Sequence, residues 1–401
     1  MIAEQAVGQS GTELIRPSPV RTTVKIALVA GESSGDLLGA GLIRALKERF
    51  PEAGFEGVAG PKMLAAGCDQ LESAESLAVF GLIEPLLHLR RLLRLRKRLV
   101  ERWSESPPDV FIGIDAPDFN LGLEKRLRRA GVKTVHYVSP SIWAWRAGRI
   151  NTVKAAADKV LCILPFEEAL YAHAGVDTAF VGHPKADSVP TVIDPLVERA
   201  SLNIDADEVV AVLPGSRASE INLLGDILFK AAAIIAKARH SVQFITPVAT
   251  AALKPAIKAQ IEAAGLSDRV LLLDGESERA MVAADVVLLA SGTAALESAL
   301  LTKPTVAAYR LGKLTYAIVN SLNLVKLQYF TLPNLLTETP LLPEFMQDNA
   351  RPQAIADAVI ELLDDPERRQ FISDRFARLR IELAQNTDQR AADAVAALLT
   401  Q

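Results

Sequence analysis

The chain is predicted to be an α/β protein built as two Rossmann-like domains, each a parallel sheet covered by helices, facing one another across a cleft. Three observations carry that prediction. Short runs rich in Val, Ile and Leu alternate with longer stretches of helical periodicity, the pattern of parallel strands buried on both faces. The alternation stops in a Pro- and Asp-containing stretch, 184–207, and then restarts. A length of 401 residues exceeds one ordinary core and suggests two domains of roughly 150–200 residues each.

In chain order, residues 1–23 lack the apolar run of a secretory signal and contain Gly, Ser and Pro, so they are expected to be a disordered extension. The first domain, 24–185, has expected strands at 24–30, 55–58, 110–114, 134–138, 160–164 and 178–181. The second, 186–350, has them at 208–213, 241–246, 269–273, 285–290 and 304–308. Residues 351–401 are strandless and helical in pattern, rich in Ala, Leu, Arg and Asp.

Composition removes several classes. A net charge of −4 gives no general affinity for nucleic acid. The mean hydropathy of +0.20 is slightly oily, but no run of 18 apolar residues exists to span a bilayer. A cytoplasmic protein, or one on the cytoplasmic face of a membrane, is expected. Cys68 and Cys162 lie far apart without metal-ligand spacing and read as buried thiols in a reducing compartment. Asp205-Ala206-Asp207 has the D-x-D form of a metal site but falls in the linker, so neither metal nor cofactor is expected.

In the first domain, the opening strand runs into Gly31-Glu32-Ser33-Ser34-Gly35-Asp36 and a helix. Such a turn brings backbone N–H groups to a ligand and aims a positive helix end at an anion. It is neither a dinucleotide fingerprint nor a Walker loop, and a plain capped βα turn reads equally well. Residues 82–102 gather leucines on one half of a helical wheel and cations on the other, with Arg96 the exception. Leu89, Arg90, Leu92, Leu93, Arg94 and Arg98 are its membrane-facing candidates, since a cationic amphipathic helix suits an anionic bilayer. The competing reading is a cover helix with solvated arginines.

The strand Val110–Ile114 leads into Asp115, Pro117, Asp118 and Asn120, and the strand Thr134–Val138 into Ser139, Ser141, Trp143, Trp145 and Arg146. Ligands of open parallel sheets sit outside the carboxyl ends of strands, so these read as a site. Asp118 is the first candidate for a general base acting on a hydroxyl nucleophile. Asp109, at the remote strand end, reads locally as a cap or ion pair.

In the second domain, Val209–Leu213 runs into Pro214-Gly215-Ser216-Arg217, with a helix expected near Glu220. Strand 285–290 leads into Ser291-Gly292-Thr293 and a helix carrying Glu297 one turn in. Amides, hydroxyls and a guanidinium suit a diphosphate, and a glutamate at that depth suits a ribose diol. Two such turns on one sheet edge favour a nucleotide-diphosphate pocket over two capped turns. Tyr309 and Asn334 follow as pocket candidates. The stretch from Leu314 to Phe330 is notably apolar, a surface for lipid or for a partner subunit, with a homodimer one arrangement it would serve. His183, at the domain boundary, is as readily structural as functional.

Together, Ala30–Asp36, Gly113-Ile-Asp-Ala-Pro-Asp-Phe-Asn120, Tyr137-Val-Ser-Pro-Ser-Ile-Trp-Ala-Trp-Arg146, Leu213-Pro-Gly-Ser-Arg217, Ser291-Gly-Thr-Ala-Ala-Leu-Glu297 and Leu332-Pro-Asn-Leu-Leu336 resemble the lipid-A-disaccharide synthase family over roughly 24–370. The resemblance implies a GT-B fold with terminal helices returning to the first domain. It implies inverting transfer from UDP-2,3-diacylglucosamine to the 6-hydroxyl of 2,3-diacylglucosamine 1-phosphate, giving a β-1,6-linked disaccharide phosphate and UDP. It also implies peripheral association with the inner membrane surface and roles for Asp118, Asp109, Arg217 and Asn334. The donor then meets Gly215, Ser216, Arg217, Ser291, Gly292, Thr293, Glu297 and Tyr309. The acceptor meets Gly31 to Asp36 with Asp115, Asn120, Ser139 and Trp143. A UDP-sugar 2-epimerase of the same architecture is the alternative enzyme, and a non-catalytic lipid carrier the alternative class.

Overall fold

The computed structural model describes residues 23–77, 84–143, 147–190, 193–312, 316 and 328–400. The extension 1–22, Leu82, the side chain of Leu86, Trp145, Arg146 and most of the apolar stretch 314–330 lie outside the described residues.

The first sheet contains β1 (Lys25–Ala30), β2 (Gly54–Ala59), β3 (Asp69–Ser73), β4 (Val110–Ile114), β5 (Lys133–Tyr137), β6 (Lys159–Cys162) and β7 (Asp177–Phe180), in the order β3-β2-β1-β4-β5-β6-β7. The second contains β8 (Val209–Leu213), β9 (Gln243–Val248), β10 (Val270–Asp274), β11 (Val286–Ala290), β12 (Thr305–Tyr309) and β13 (Glu344–Met346), in the order β10-β9-β8-β11-β12-β13. All described pairings are parallel. Two strands escaped the sequence reading. β3 is a polar edge strand, Asp-Gln-Leu-Glu-Ser, and β13 is three residues long; neither carries an apolar run.

Strand residues alternate between faces, and both faces are covered, so the central strands β1, β4, β8 and β11 are mostly apolar. Ile26, Leu28, Val110 and Ile112 pack under α1 (Ser33–Arg49). Ala27, Val29 and Phe111 pack under α3 (Glu84–Glu105) and α4 (Pro117–Arg129), through Leu95, Leu99, Trp103, Phe119, Leu123 and Leu127. Trp103 is fully buried, 5.3 Å from the Phe111 ring, and its indole N–H donates to Glu56 at 2.8 Å. The short helix α2 (Pro61–Ala65) is tied to α1 by Asp36, whose carboxylate accepts from the amides of Gly60, Lys62 and Met63.

The terminal helices divide differently from the 351–401 unit expected. Pro352–Asp364 and Pro366–Leu383 complete the second core through Ile355, Val359, Leu362, Ile372 and Phe376. Only Thr387–Thr400 returns to the first domain, adding Ala391, Ala392, Val395 and Leu398 to the α1 face. The two crossings of the chain lie side by side. The His183 amide donates to the Leu383 carbonyl at 2.8 Å, and Asp187 accepts from the amides of Asn386 and Thr387.

Candidate active site

Strand order reverses between β1 and β4 in one sheet and between β8 and β11 in the other. At such switch points the βα turns splay apart and leave a crevice. All four motif turns stand there: 31–36 and 115–118 in the first domain, 215–217 and 291–293 in the second.

The first-domain turns touch. A Cβ at Gly31 would stand 2.7 Å from the Ala116 Cβ, so only glycine permits the approach. Asp115 and Ala116 have φ of 50° and 43°, and Val138, at the end of β5, has φ of 77°. Left-handed backbone is costly for residues with a Cβ, most of all a β-branched one, and such strain gathers at functional sites. The expected carboxylate-rich loop is shorter than the sequence suggested: Pro117 is the first residue of α4, which places Asp118 in its first turn. Asp118 is exposed and ion-paired with Arg149, the residue just before the helix Ile150–Ala156.

Several expected ligand residues hold the scaffold instead. Asn120 is fully buried, and its amide donates to the carbonyls of Val29, Ile114 and Asp115, bracing the switch point from beneath. Asp36 is buried in the α2 tie described above. Asp109 sits at the opposite end of β4, where its carboxylate accepts from the Lys25 amide at 2.7 Å, in line with the local reading as a cap. Asn334 is buried: its side-chain oxygen accepts from the Leu341 and Leu342 amides and its N–H₂ donates to the Leu342 carbonyl and to Glu344. Glu344 also accepts from Phe330 and Thr331, so Asn334 fastens the segment that follows β12. His183 caps the helix Pro184–Ser188 by accepting from the Lys185 amide, and burial pushes its imidazole down to about 4, which keeps it neutral.

Ser139 is buried and shares a hydrogen bond of 3.0 Å with the Tyr171 hydroxyl, while the Trp143 indole donates to Glu167 at 3.3 Å and meets Phe166 edge-on. Burial pushes the Glu167 carboxyl up to about 7. Sequence reasoning passed over Glu167, whose role depends on a fold that brings it under the β5 end.

In the second domain one cavity of about 560 Å³ gathers Gly215, Ser216, Arg217, Ser291, Gly292, Thr293 and Glu297. That volume is in the range of nucleotide-sized ligands. Glu220, Gly275, Glu276 and Ser277 also line it, and the sequence offered no pattern for them. Tyr309 does not line this cavity; its ring lies 5.8 Å from Phe330, and its hydroxyl feels the charges of Glu220 and Arg217, which do line it. The helix after β8 begins at Ala218, earlier than Glu220, because Glu220 folds back as a capping box. Its carboxylate accepts from the Ser216 and Arg217 amides and pairs with the Arg217 guanidinium. The amides expected to serve a diphosphate are therefore engaged by Glu220. The helix Thr293–Leu300 presents its amide-rich N-terminus at Gly292 from the other wall.

The two halves feel each other. Glu32 has its carboxyl raised above the usual range, first by desolvation and then by repulsion from Asp115, while Arg217 of the other domain opposes the rise. Lys185, on the crossing helix, lies 3.5 Å from Glu297. Among the described residues no group of three or more His, Cys, Asp or Glu side chains could hold a metal ion.

On α3, Leu95 and Leu99 are core, Leu92 is half-buried, and Leu89 and Leu93 are 46% and 45% exposed beside exposed Arg90 and Arg94. The arginines are not all unbalanced: Arg98 pairs with Glu72 and Arg102 with Glu56. Among the described residues no helix is long and apolar enough to cross a membrane.

A family model described as lipid-A-disaccharide synthetase matches residues 26–399. A lipid-A-disaccharide synthase of Xanthomonas campestris pv. campestris (strain 8004) is 48% identical over 379 residues, 94% of this chain and 86% of that one. Among solved structures, the calicheamicin glycosyltransferase CalG4 superposes with a TM-score of 0.61 at 17% identity, covering 94% of this chain and 98% of that one. UDP-GlcNAc 2-epimerase from Neisseria meningitidis, bound to UDP-GlcNAc, gives 0.58 at 12% identity, covering 95% and 100%. At such identities these two likenesses concern the fold alone.

Proposed function

The chain belongs to the lipid-A-disaccharide synthase family, an enzyme of lipid A biosynthesis with a GT-B fold, and from that premise we propose the reaction and the duties of its residues. The donor is UDP-2,3-diacylglucosamine and the acceptor 2,3-diacylglucosamine 1-phosphate. The acceptor 6-hydroxyl oxygen attacks the anomeric carbon, the carbon–oxygen bond to the β-phosphate breaks, and UDP leaves. Attack from the face opposite the diphosphate inverts the centre and gives the β-1,6 linkage. The observation that carries this reading is the cavity uniting the two βα turns 215–217 and 291–293 with Glu297, facing the carboxylates of the first domain.

Negative charge develops on the β-phosphate as UDP departs. Arg217 and the N-terminus of the helix Thr293–Leu300 stabilise it, with Ser216, Ser291 and Thr293 supplying hydroxyls. Glu297 accepts from the ribose diol, exchanging Lys185 for the sugar, and Tyr309 borders the donor. Because Glu220 engages the 216–217 amides, the diphosphate is met chiefly by the guanidinium and the opposite helix end. On the acceptor side Asp118, ion-paired with Arg149, takes the 6-hydroxyl proton, while Glu32, Ser33, Asp115 and Trp143 shape the wall. Asn120, Asp36, Asp109, Ser139 and Asn334 act through the backbone they hold. Exposed Leu89 and Leu93 rest on the anionic inner membrane, where both acylated substrates reside.

Acceptor-dependent UDP release tests the reading. The chain is incubated with UDP-2,3-diacylglucosamine, with and without 2,3-diacylglucosamine 1-phosphate. UDP is expected only with both, in step with the disaccharide phosphate. UDP and free sugar without acceptor would instead fit an epimerase-type reaction, and no turnover in either arm a binding protein.

A further inference from the structure

One arginine of α3 does not belong with the others. Arg96 falls among the leucines of the helical wheel, and the fold turns it inward against α4. Its Nη2 donates to the main-chain carbonyl of Asp118 at 2.9 Å, and its guanidinium carbon lies 5.1 Å from the centroid of the Phe119 ring. Facing it is Gly122, where an added Cβ would stand 2.6 Å from Nη1. Little more than one turn of α4, from Asp118 to Gly122, thus receives one planar group: a carbonyl, an aromatic face and a bare backbone. Half-burial and the nearby Arg126 both work against its charge, so this inward setting is electrostatically unfavourable and is held by the contacts it makes.

What Arg96 grips directly follows a strained stretch of the site. Asp115 and Ala116 are left-handed immediately before α4, and strained backbone persists only where its surroundings fix it. The Asp118 carboxylate is steadied from one side by Arg149; its main chain is steadied from the other by Arg96. We propose that Arg96 is a positioning residue for glycosyl transfer: it clamps the first turn of α4 to α3 and so sets the aim of the Asp118 carboxylate at the acceptor hydroxyl. The proposal rests on the reading of Asp118 as the proton acceptor. Lysine cannot replace the fork, because an ammonium cannot lie flat on Phe119 while donating to the carbonyl.

Two variants approach the clamp from opposite helices. Arg96→Lys removes the fork and keeps the charge, and Gly122→Ala drives the guanidinium away from α4. Both are expected to lower kcat by roughly tenfold to a hundredfold, the scale of an ångström-sized misplacement, with the donor KM unchanged and the thermal midpoint near that of the parent. Combined with Asp118→Asn, each is expected to add nothing to the loss already caused, since the group being aimed is gone. Full turnover in Arg96→Lys, or an undiminished further loss on the Asp118→Asn background, overturns the clamp while leaving Asp118 in place. Native turnover in Asp118→Asn alone overturns the reading of Asp118, and the clamp with it.

Discussion

At the residue scale, charge is met by preorganised groups. In the proposed reaction Arg217 meets the leaving diphosphate from the wall of the second-domain cavity, and removing one such charge-stabilising donor costs about 2.7–4 kcal/mol in the transition state. Arg217→Ala is therefore expected to lower kcat/KM for the UDP-sugar by roughly a hundredfold to a thousandfold, measured by initial rates of UDP release; unchanged donor kinetics would remove it from the site. Glu167 gives a pH-dependent prediction. Its folded pKa is about 7 against an ordinary 4.5, so the folded state holds the proton more tightly than the unfolded one. The associated stability is fully present below the ordinary value and is lost as pH rises through 7. Relative to Glu167→Gln, the wild-type thermal midpoint should fall between about pH 5 and pH 8, with Trp143, its hydrogen-bond donor, reporting the same transition by fluorescence; a pH-independent difference would contradict this. Residue identities in the motifs were legible in the sequence, but their orientation was not. Asn120 and Asn334 look alike in a string to any ligand-binding amide, and only the fold reveals that their polar atoms are used by backbone groups. Glu220 and Glu167 had no motif of their own to mark them.

At the element scale, α3 divides its leucines between two tasks. Leu95 and Leu99 are 5% and 4% exposed and Leu92 is partly covered, whereas Leu89 and Leu93 are nearly half exposed. Leu89→Ser with Leu93→Ser is expected to release the protein from vesicles containing anionic lipid while circular dichroism stays native. Loss of the helical signal would place these leucines in the core. Leu99→Ala should behave oppositely, costing about 2–5 kcal/mol of stability through the cavity it leaves. The amphipathic pattern foretold the helix, but not how far its apolar half is covered, because that depends on where α4 and β2 come to rest. The same limit hid the pairing of Arg98 with Glu72 and Arg102 with Glu56: those acids lie on strands distant in sequence. Strands were readable where both faces are covered and unreadable at the polar edge β3.

At the scale of the whole molecule, two domains share one cleft because the chain crosses between them twice. His183 and Asp187 bind the outgoing crossing to the returning one at Leu383, Asn386 and Thr387. The two-sheet architecture followed from periodicity, and the cavity lined by 215–217 and 291–293 from two turns on one sheet edge. The partition of the terminal helices did not, since three successive helices carry no label for the core they join. Deleting Thr387–Gln401 is expected to destabilise the first domain selectively, since each large apolar side chain it withdraws contributes roughly 1.5–3 kcal/mol. Hydrogen exchange should then quicken in β1 and β4 while β8 and β11 stay protected; equal protection in both sheets would refute the dependence.

That returning helix orders events at the ribosome. The first domain to be synthesised lacks part of its own core until Thr387–Thr400 has emerged, although domains ordinarily fold in sequence from the N-terminus as they are made. The second domain, whose core closes at Leu383, can be complete first. Until Thr387–Thr400 has emerged, the part of the first core that Ala391, Ala392, Val395 and Leu398 complete stays bare, and a nascent chain stalled before Thr387 is expected to present it to chaperones. A polypeptide cut before Thr387 is thus expected to lose the first-domain wall of the cleft, although every residue proposed to meet the acceptor has already been made.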